Sequence, residues 1–197
     1  MLDFDAIYLE ACARKGGEQA LAEAMPEVAN HDTLTRRPDA FYLSTLCLRV
    51  FSAGLSHAMV RKKWPDFEQV FFNFDPQKVR LMSDEQLQTC MGDRRLIRHW
   101  GKIKSIPVNA QMVYELSQEN QGVGRFLADW PTANIVSLWR TMAENGAQLG
   151  GQSTPYFLRM VGKDTFLLTT HVVRGLVSLG LVEKTPKGKK SLDQVQS

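Results

Sequence analysis

The chain has 197 residues, of which 44% are hydrophobic and 23% are charged, and its formal net charge is +3. This size and composition are typical of one globular domain, and the small net charge does not by itself indicate a nucleic-acid partner. No apolar run approaches the roughly 18 residues of a membrane span, and the N-terminus is acidic where a signal peptide would be basic. We therefore predict a single domain over residues 1–197, which has no membrane partner and acts as a monomer in the cytoplasm.

The first half of the chain shows a pattern of short helices with clear breaks. Apolar spacing predicts one helix over residues 3–16, which ends at a pair of glycines, and a second over 18–25. A polar connection over 30–37, with room for one turn, leads to Pro38. Proline is accepted in the first turn of a helix, and the nearly all-apolar helix that follows is expected to cross the middle of the domain.

Capping residues mark the next helices. Ser56 predicts a helix start, and Pro65 is expected to interrupt that helix, with a restart directly after it. Asp75 is followed by proline and opens another helix, and Ser83 with Gln86 forms a capping-box pattern.

The second half of the chain continues the helical pattern. A long helix is predicted from Asp93 to Leu116, with Pro107 free to kink it. Further helices are predicted over residues 132–145, 153–161 and 170–179. Because no stretch alternates apolar and polar residues for long enough to form a sheet, the fold class is predicted to be all-α.

The last residues are basic, with the segment KTPKGKK at 184–190, and we predict a flexible basic tail from about residue 184. Ser191 with Gln194 forms another capping-box pattern, although only three residues follow Gln194. The pattern favours one more helix that continues past Ser197.

The three cysteines, Cys12, Cys47 and Cys90, are widely separated, and the first two lie in apolar helical patterns. We predict that they are reduced thiols rather than a disulfide framework.

Three motifs carry a resemblance to a known family: AGLSH at 53–57, KKWPDFEQVFFNFDPQKV at 62–79 and RRLIRHWGKIKSIPVNA at 94–110. In residue types, order and spacing they resemble the bacterial 3-methyladenine DNA glycosylase I (Tag) family, and weaker similarity continues to Val182. The resemblance implies a helix-hairpin-helix DNA glycosylase fold and an enzyme of base-excision repair that acts on double-stranded DNA with an alkylated base.

The segment LGGQSTPYFLRMVGKDTFLLTTHVVRGL at 149–176 resembles the hairpin of that superfamily and the segment after it. Glycines allow a tight turn, and the free N–H groups at the start of the next helix then point at a DNA phosphate. The hairpin residues expected to bind DNA are Gly150, Gly151, Gln152, Ser153 and Thr154. An ordinary helix–helix turn is the alternative. Since residues 152–156 contain no lysine, the resemblance implies hydrolysis without lyase activity.

Thr169 occupies the position where most of the superfamily has its catalytic aspartate. The carboxylate that would stabilise an oxocarbenium-like sugar or orient water is therefore missing. A purine alkylated at N3 or N7 is already a cationic leaving group, so holding it extruded in a tight pocket would suffice. On the next helix, His171 and Arg174 are predicted to contact the DNA backbone, with solvated surface residues as the alternative. A stripe on the opposite face is predicted to face the core: Val172, Val173, Leu176 and Val177.

The expected base pocket departs from the family at two positions. Arg49 stands where relatives have a glutamate, and His57 stands where they have a tryptophan. A carboxylate and a stacking ring suit a cationic purine, whereas a buried arginine repels it and needs a partner such as an acidic side chain. The other residues expected in the pocket are Phe51, Ser52, Trp100 and Tyr156, and the aromatic ones have a place in the core as the alternative.

Relatives of the family hold a zinc ion between the two termini, but this chain has no cysteine after Cys90 and no histidine spacing typical of a metal site. We predict no metal and no cofactor. A basic group over 94–104 is expected on a helix, where Arg95, Arg98 and Lys102 are spaced to share one face. Arg98, Lys102 and Lys104 are expected to contact DNA, with a solvated helical face as the alternative.

The sequence thus favours a monofunctional DNA N-glycosylase for alkylated purines. Two alternatives stay open: a catalytically silent DNA-binding protein on the same fold, and a glycosylase for a neutral damaged base, which Arg49 would tolerate better.

Overall fold

The computed structural model describes residues 4–196, and the regular secondary structure of this part of the chain is helical, with no β-strand. The all-α prediction is confirmed. Two 3-10 turns, Phe72–Phe74 and Thr132–Asn134, accompany thirteen α-helices within the described residues. The helices are α1 (Phe4–Lys15), α2 (Glu18–Ala24), α3 (His31–Arg36), α4 (Asp39–Ser52), α5 (His57–Val70), α6 (Pro76–Val79), α7 (Asp84–Gly92), α8 (Trp100–Asn120), α9 (Val123–Asp129), α10 (Ile135–Asn145), α11 (Ser153–Met160), α12 (Thr170–Ser178) and α13 (Lys189–Gln196). The first predicted residue of α1, Asp3, lies outside the described residues.

Helix α4 is the centre of the core, because it packs against α5, α6, α8, α9 and α11. Tyr42, Leu43, Leu46 and Phe51 are fully buried along it. The hydroxyl of Tyr42 donates to the carbonyl of Leu34 at 2.5 Å, so its polar atom is satisfied inside the core. The predicted central helix is confirmed. None of the described helices is long and apolar enough to cross a membrane.

Two proline predictions had different outcomes. Pro107 lies inside α8 as expected, but Pro65 lies inside α5 without interrupting it. A proline inside a helix costs about 3 kcal/mol. Contacts of the neighbouring residues offset that cost. Trp64 and Phe67 stack with ring centroids 4.9 Å apart, and Trp64 Nε1 also donates a hydrogen bond to Ser44 Oγ at 2.9 Å.

The long helix predicted from Asp93 begins at Trp100 instead. Asp93 Oδ1 accepts the backbone N–H of Arg95 at 2.9 Å, which folds residues 93–98 into a turn that competes with the helix. His99 Nδ1 then accepts the N–H of Lys102 at 3.3 Å and caps α8. Arg98 therefore precedes the helix, and it does not share a helical face with Lys102.

The C-terminal segment is not a flexible tail. Residues 189–196 form α13, which packs on α10. Asp193 pairs with Arg140 at 2.8 Å, and Gln196 Oε1 accepts the N–H of Val136 at 2.7 Å. The helix begins before Ser191, whose hydroxyl accepts the N–H of Gly188 at 3.2 Å, so Ser191 acts within the first turn and not as the cap.

The predicted core stripe on α12 is wrong. No residue of α12 is buried, and Val172 and Val177 are 44% and 42% exposed. A hydrophobic stripe specifies which side of a helix is apolar, but it does not specify whether another element covers that side.

The three cysteines are free and buried, as predicted.

Gly124 lies where α9 approaches α3 closely. A Cβ at Gly124 would lie 2.2 Å from the carbonyl oxygen of Leu34. We expect Gly124→Ala to lower the free energy of unfolding by about 1–3 kcal/mol, because the backbone must move to admit the methyl group. Gly175→Ala is the control, because a Cβ there meets no atom within 4 Å. The control should raise stability by about 0.5–1 kcal/mol. Urea denaturation measures both, and equal effects would contradict the described approach of α3 to α9.

Candidate functional site

The hairpin between α10 and α11 has an exposed tip and a fixed base. Gln148 and Gly151 adopt left-handed backbone conformations, with φ of 64° and 60°. A Cβ at Gly150 or Gly151 would meet no atom within 4 Å, whereas Leu149 beside them is only 2% exposed. The loop therefore leaves backbone open for close approach while its buried side chain anchors it.

Ser153 and Thr154 stabilise the hairpin from inside, which corrects their predicted role in DNA binding. Thr154 is fully buried and its hydroxyl donates to the carbonyl of Leu149 at 2.8 Å. Ser153 is 9% exposed and its N–H donates to the carbonyl of Gly150 at 3.2 Å. Gln152 is half-buried, and its Oε1 has no hydrogen-bond partner. Gly150, Gly151 and Gln152 stay candidates for contact with DNA.

Asn109 of α8 holds the hairpin in place, a role that the sequence did not predict. Its side-chain nitrogen donates to the carbonyl of Ala147 at 3.1 Å, and its Oδ1 accepts the N–H of Ala147 at 2.8 Å. Asn109 is fully buried. It belongs to the Asn-Ala pair of the third motif, so the signal was present, but the partner lies 38 residues further along the chain.

Arg49 lies in the last turn of α4 and is nearly buried, at 9% exposure. Its guanidinium lies over the ring of Tyr156, 4.5 Å from the centroid, and its Nε has no hydrogen-bond partner. Burial lowers the pKa of Arg49. No carboxylate among residues 4–196 forms an ion pair with it. The structure thus brings two predicted pocket residues together, and the partner of Arg49 is an aromatic ring instead of an acid.

Lys102 is a second buried cation beside Arg49, and its predicted contact with DNA is wrong. It is 7% exposed, and its Nζ donates to the carbonyls of Phe51 at 3.2 Å and Ala53 at 2.6 Å. Desolvation is the main cause that lowers the pKa of Lys102, and the charge of Arg49 lowers it further. The ammonium satisfies carbonyls at the C-terminal end of α4, where the helix dipole favours positive charge.

Phe51 and Ser52 do not line a pocket. Phe51 is fully buried and packs edge-on against Phe67 with centroids 4.7 Å apart. Ser52 donates from its hydroxyl to the carbonyl of Leu48 at 2.8 Å within α4. Phe51 follows the apolar pattern of the central helix and lies in the core, which was the alternative to a place in the pocket. The polar atom of Ser52 is satisfied within α4.

His57 and Trp100 lie on the surface near the helix starts. His57 is the first residue of α5 and is exposed, and Trp100 is the first residue of α8 and is 36% exposed. Lys104 Nζ lies 5.4 Å from the Trp100 ring centroid. Arg98 is exposed as well, so these side chains are free to meet a partner.

Thr169 caps α12, since its hydroxyl oxygen accepts the N–H of Val172 at 3.3 Å. It lines an open cavity of about 650 Å³ whose other walls include Val28, Lys163 and Phe166. Arg49 and Tyr156 do not line that cavity. The two predicted catalytic positions, Thr169 and Arg49, therefore do not share this cavity. His171 and Arg174 are exposed on α12.

A metal site is not formed within the described residues, because no three His, Cys, Asp or Glu side chains gather there. The absence of a metal and of a cofactor stays a prediction.

The region matched by a known protein family contains the three motifs at 53–57, 62–79 and 94–110. Residues 29–153, more than half of the chain, match the family model described as methyladenine glycosylase. The chain belongs to the methyladenine glycosylase family. It is 37% identical over 147 residues to DNA-3-methyladenine glycosylase 1 of Escherichia coli (strain K12), over 65% of this chain and 76% of that protein. It is 32% identical over 89 residues to DNA-3-methyladenine glycosylase of Haemophilus influenzae, over 45% of this chain and 47% of that protein.

Solved structures share the fold. A crystal structure of a 3-methyladenine DNA glycosylase I variant in complex with 3-methyladenine matches with a TM-score of 0.57 and 23% identity, over 68% of this chain and 84% of that one. A mutant of the Staphylococcus aureus enzyme matches with a TM-score of 0.57 and 21% identity, over 77% of this chain and 86% of that one. The predicted family and the predicted fold class are confirmed.

Lys102→Ala tests the structural role of this residue. Loss of two charge-assisted hydrogen bonds should lower the free energy of unfolding by about 2–4 kcal/mol and leave the salt dependence of DNA binding unchanged. Lys104→Ala, an exposed control two residues further on, should change stability by less than about 0.5 kcal/mol. Urea denaturation and binding at several salt concentrations measure these effects. A stable Lys102→Ala protein with a smaller salt slope would show that Lys102 reaches DNA instead.

Proposed function

We propose that the chain is a monofunctional DNA N-glycosylase that binds duplex DNA, extrudes an alkylated purine and hydrolyses its N-glycosidic bond. The observation that carries the proposal is the hairpin with an open glycine tip and a buried anchor, within a chain of the methyladenine glycosylase family. Action as a monomer in the cytoplasm, without a metal, belongs to the same proposal.

The hairpin supports DNA binding through its backbone. A phosphate can approach Gly150 and Gly151 closely because no side chain lies in the way, and α11 starts directly after them. Backbone N–H groups and the positive end of a helix dipole both favour an anion there. Asn109 limits movement of the loop, so less ordering is needed on binding.

Bond cleavage can proceed without a carboxylate at position 169. When an alkylated cationic purine leaves, the electron pair of the C1′–N bond neutralises the base, water adds to C1′ and its proton passes to solvent. The hydroxyl of Thr169 already accepts the N–H of Val172, which makes it a helix cap here. Residues 152–156 contain no lysine, and this is the part of the hairpin where the family resemblance would place the amine of a lyase.

One observation favours a catalytically silent DNA-binding protein as the second candidate. Arg49 and Lys102 put two buried positive charges at the end of α4, where relatives have a glutamate by the motif resemblance. A cationic base would be repelled there, because charges interact strongly in a poorly solvated site.

Gly151→Asp tests the proposed function. A carboxylate at the hairpin tip should repel phosphate and weaken duplex binding by about tenfold or more, and base release from methylated DNA should fall in parallel. Gly16→Asp is the matched control, because Gly16 also has a positive φ, 92°, and open space around it. Anisotropy with undamaged duplex and chromatography of released base measure the outcome. Unchanged binding by Gly151→Asp would contradict the proposal, and binding without base release by the wild type would favour the silent protein.

A second basic surface lies beside the hairpin. Thr185, Pro186 and Lys187 line a cavity of about 420 Å³ together with Gly150 and Gly151. The docked α13 then carries further lysines, and the four exposed lysines of this C-terminal segment form no ion pair among the described residues: Lys184, Lys187, Lys189 and Lys190. Their placement supports a role in extending the DNA-binding surface.

Replacing these four lysines by glutamine should reduce the slope of log binding constant against log salt by roughly 2 to 4, because each phosphate contact contributes about 0.9. A control variant removes the same charge elsewhere, with glutamine at four exposed positions: Lys15, Arg36, Lys78 and Arg125. The control should change the slope by less than about one. Equal slopes for the two variants would show that the C-terminal lysines act only through net charge.

A further inference from the structure

Arg49 is an incompletely satisfied cation in a buried position. Arg49 is 9% exposed, and its Nε has no hydrogen-bond partner. The aromatic ring of Tyr156 covers one face of the guanidinium, at 4.5 Å from the centroid. Cation–π contact accounts for that face, but it leaves the Nε–H donor in the plane of the group without an acceptor. A buried donor without an acceptor is costly, so Nε is a candidate donor to a bound ligand.

A second arginine shows that stacking alone does not create this situation. Arg80 also lies over a tyrosine ring, 4.2 Å from the centroid of Tyr114, and its Nε is also without a partner. However, Arg80 is only half-buried, and its Nη1 donates to Gln111 Oε1 at 3.5 Å. Arg49 combines deeper burial with no hydrogen bond to any described residue.

The charge around Arg49 is positive as well. Lys102 supplies the second cation. The carbonyls of Phe51 and Ala53 accept hydrogen bonds from Lys102 and not from Arg49. The end of the α4 dipole contributes only about half a negative charge. A ligand suited to this position is therefore a group that accepts hydrogen bonds and that carries or develops negative charge.

The geometry of a stacked guanidinium specifies that partner further. Its donors form a planar fork that matches two adjacent acceptors, as in the pairing of arginine with O6 and N7 of guanine. A 6-oxopurine offers these two acceptors side by side. A 6-aminopurine offers a donor at one of the positions, and a cationic 3-methyladenine adds charge repulsion.

We propose that Arg49 selects a flipped neutral 6-oxopurine, whose O6 and N7 accept hydrogen bonds from the guanidinium while Tyr156 holds its plane. This inference rests on the proposed glycosylase function and adds a substrate class to it. When the C1′–N9 bond of a neutral purine breaks, the electron pair leaves with the base as an anion, water adds to C1′, and the proton released from water protonates the base. A buried guanidinium stabilises the negative charge that develops on the base.

The test uses duplex DNA with a single deoxyinosine, whose base is hypoxanthine, and separately methylated duplex as a source of 3-methyladenine. Free base is measured by mass spectrometry under single-turnover conditions. Wild type should release hypoxanthine. Arg49→Lys keeps the charge but loses the fork, and Arg49→Met loses both, so the release rate should fall by about 5- to 150-fold in each. Arg49→Glu should lose hypoxanthine release and gain release of 3-methyladenine.

Arg80→Lys and Arg80→Met are the matched controls, because they change the other stacked arginine and should leave hypoxanthine release within about twofold of the wild-type rate. If Arg49 variants do not fold, calorimetric binding of free hypoxanthine and free adenine to the wild type decides instead. Preference for hypoxanthine supports the inference, and equal or weaker binding overturns it.

The outcomes separate the two proposals. Release of 3-methyladenine without hypoxanthine overturns the role of Arg49 and leaves the glycosylase function intact. Duplex binding without release of either base overturns both proposals. Unchanged hypoxanthine release by Arg49→Lys shows that the planar fork is not used, which also overturns the inference.

Discussion

The ammonium of Lys102 joins the end of α4 to the start of α8, and the candidate site depends on that junction. It satisfies the carbonyls of Phe51 and Ala53, which have no partner within their own helix. Helix α4 is the buried centre of the core, so its end cannot be hydrated freely. A cation at this point stabilises the helix terminus and at the same time raises the electrostatic potential of the neighbouring site.

The same helix α8 also positions the hairpin. Asn109 lies two turns beyond Lys102 and forms both of its hydrogen bonds with Ala147. Helix α8 thus carries both the residue that satisfies the end of α4 and the residue that holds the hairpin between α10 and α11. The side chains of Lys102 and Asn109 are both buried, so the distance between these two features is maintained by core packing and not by surface contacts.

Arg49 changes the chemistry of this scaffold without changing its fold. The family resemblance and the fold comparisons describe the helices, whereas the preference of the site for a base follows from the charge and hydrogen-bonding groups at a few positions. A buried guanidinium on a tyrosine ring favours acceptors, and a carboxylate at the same position favours a cation. A single substitution can therefore redirect specificity while the core around it stays the same.

Local patterns in the sequence determined the helical class, the central helix α4 and the caps at Ser56, Asp75 and Ser83, because these depend on apolar spacing and on residues within one turn. Only the tertiary structure decided that Lys102 is buried, that Thr169 lines a cavity without Arg49, and that the last helix docks on α10. A charge or an apolar stripe looks the same in sequence whether it meets solvent or a partner. The partner is contributed by residues far along the chain, so its presence is decided by packing.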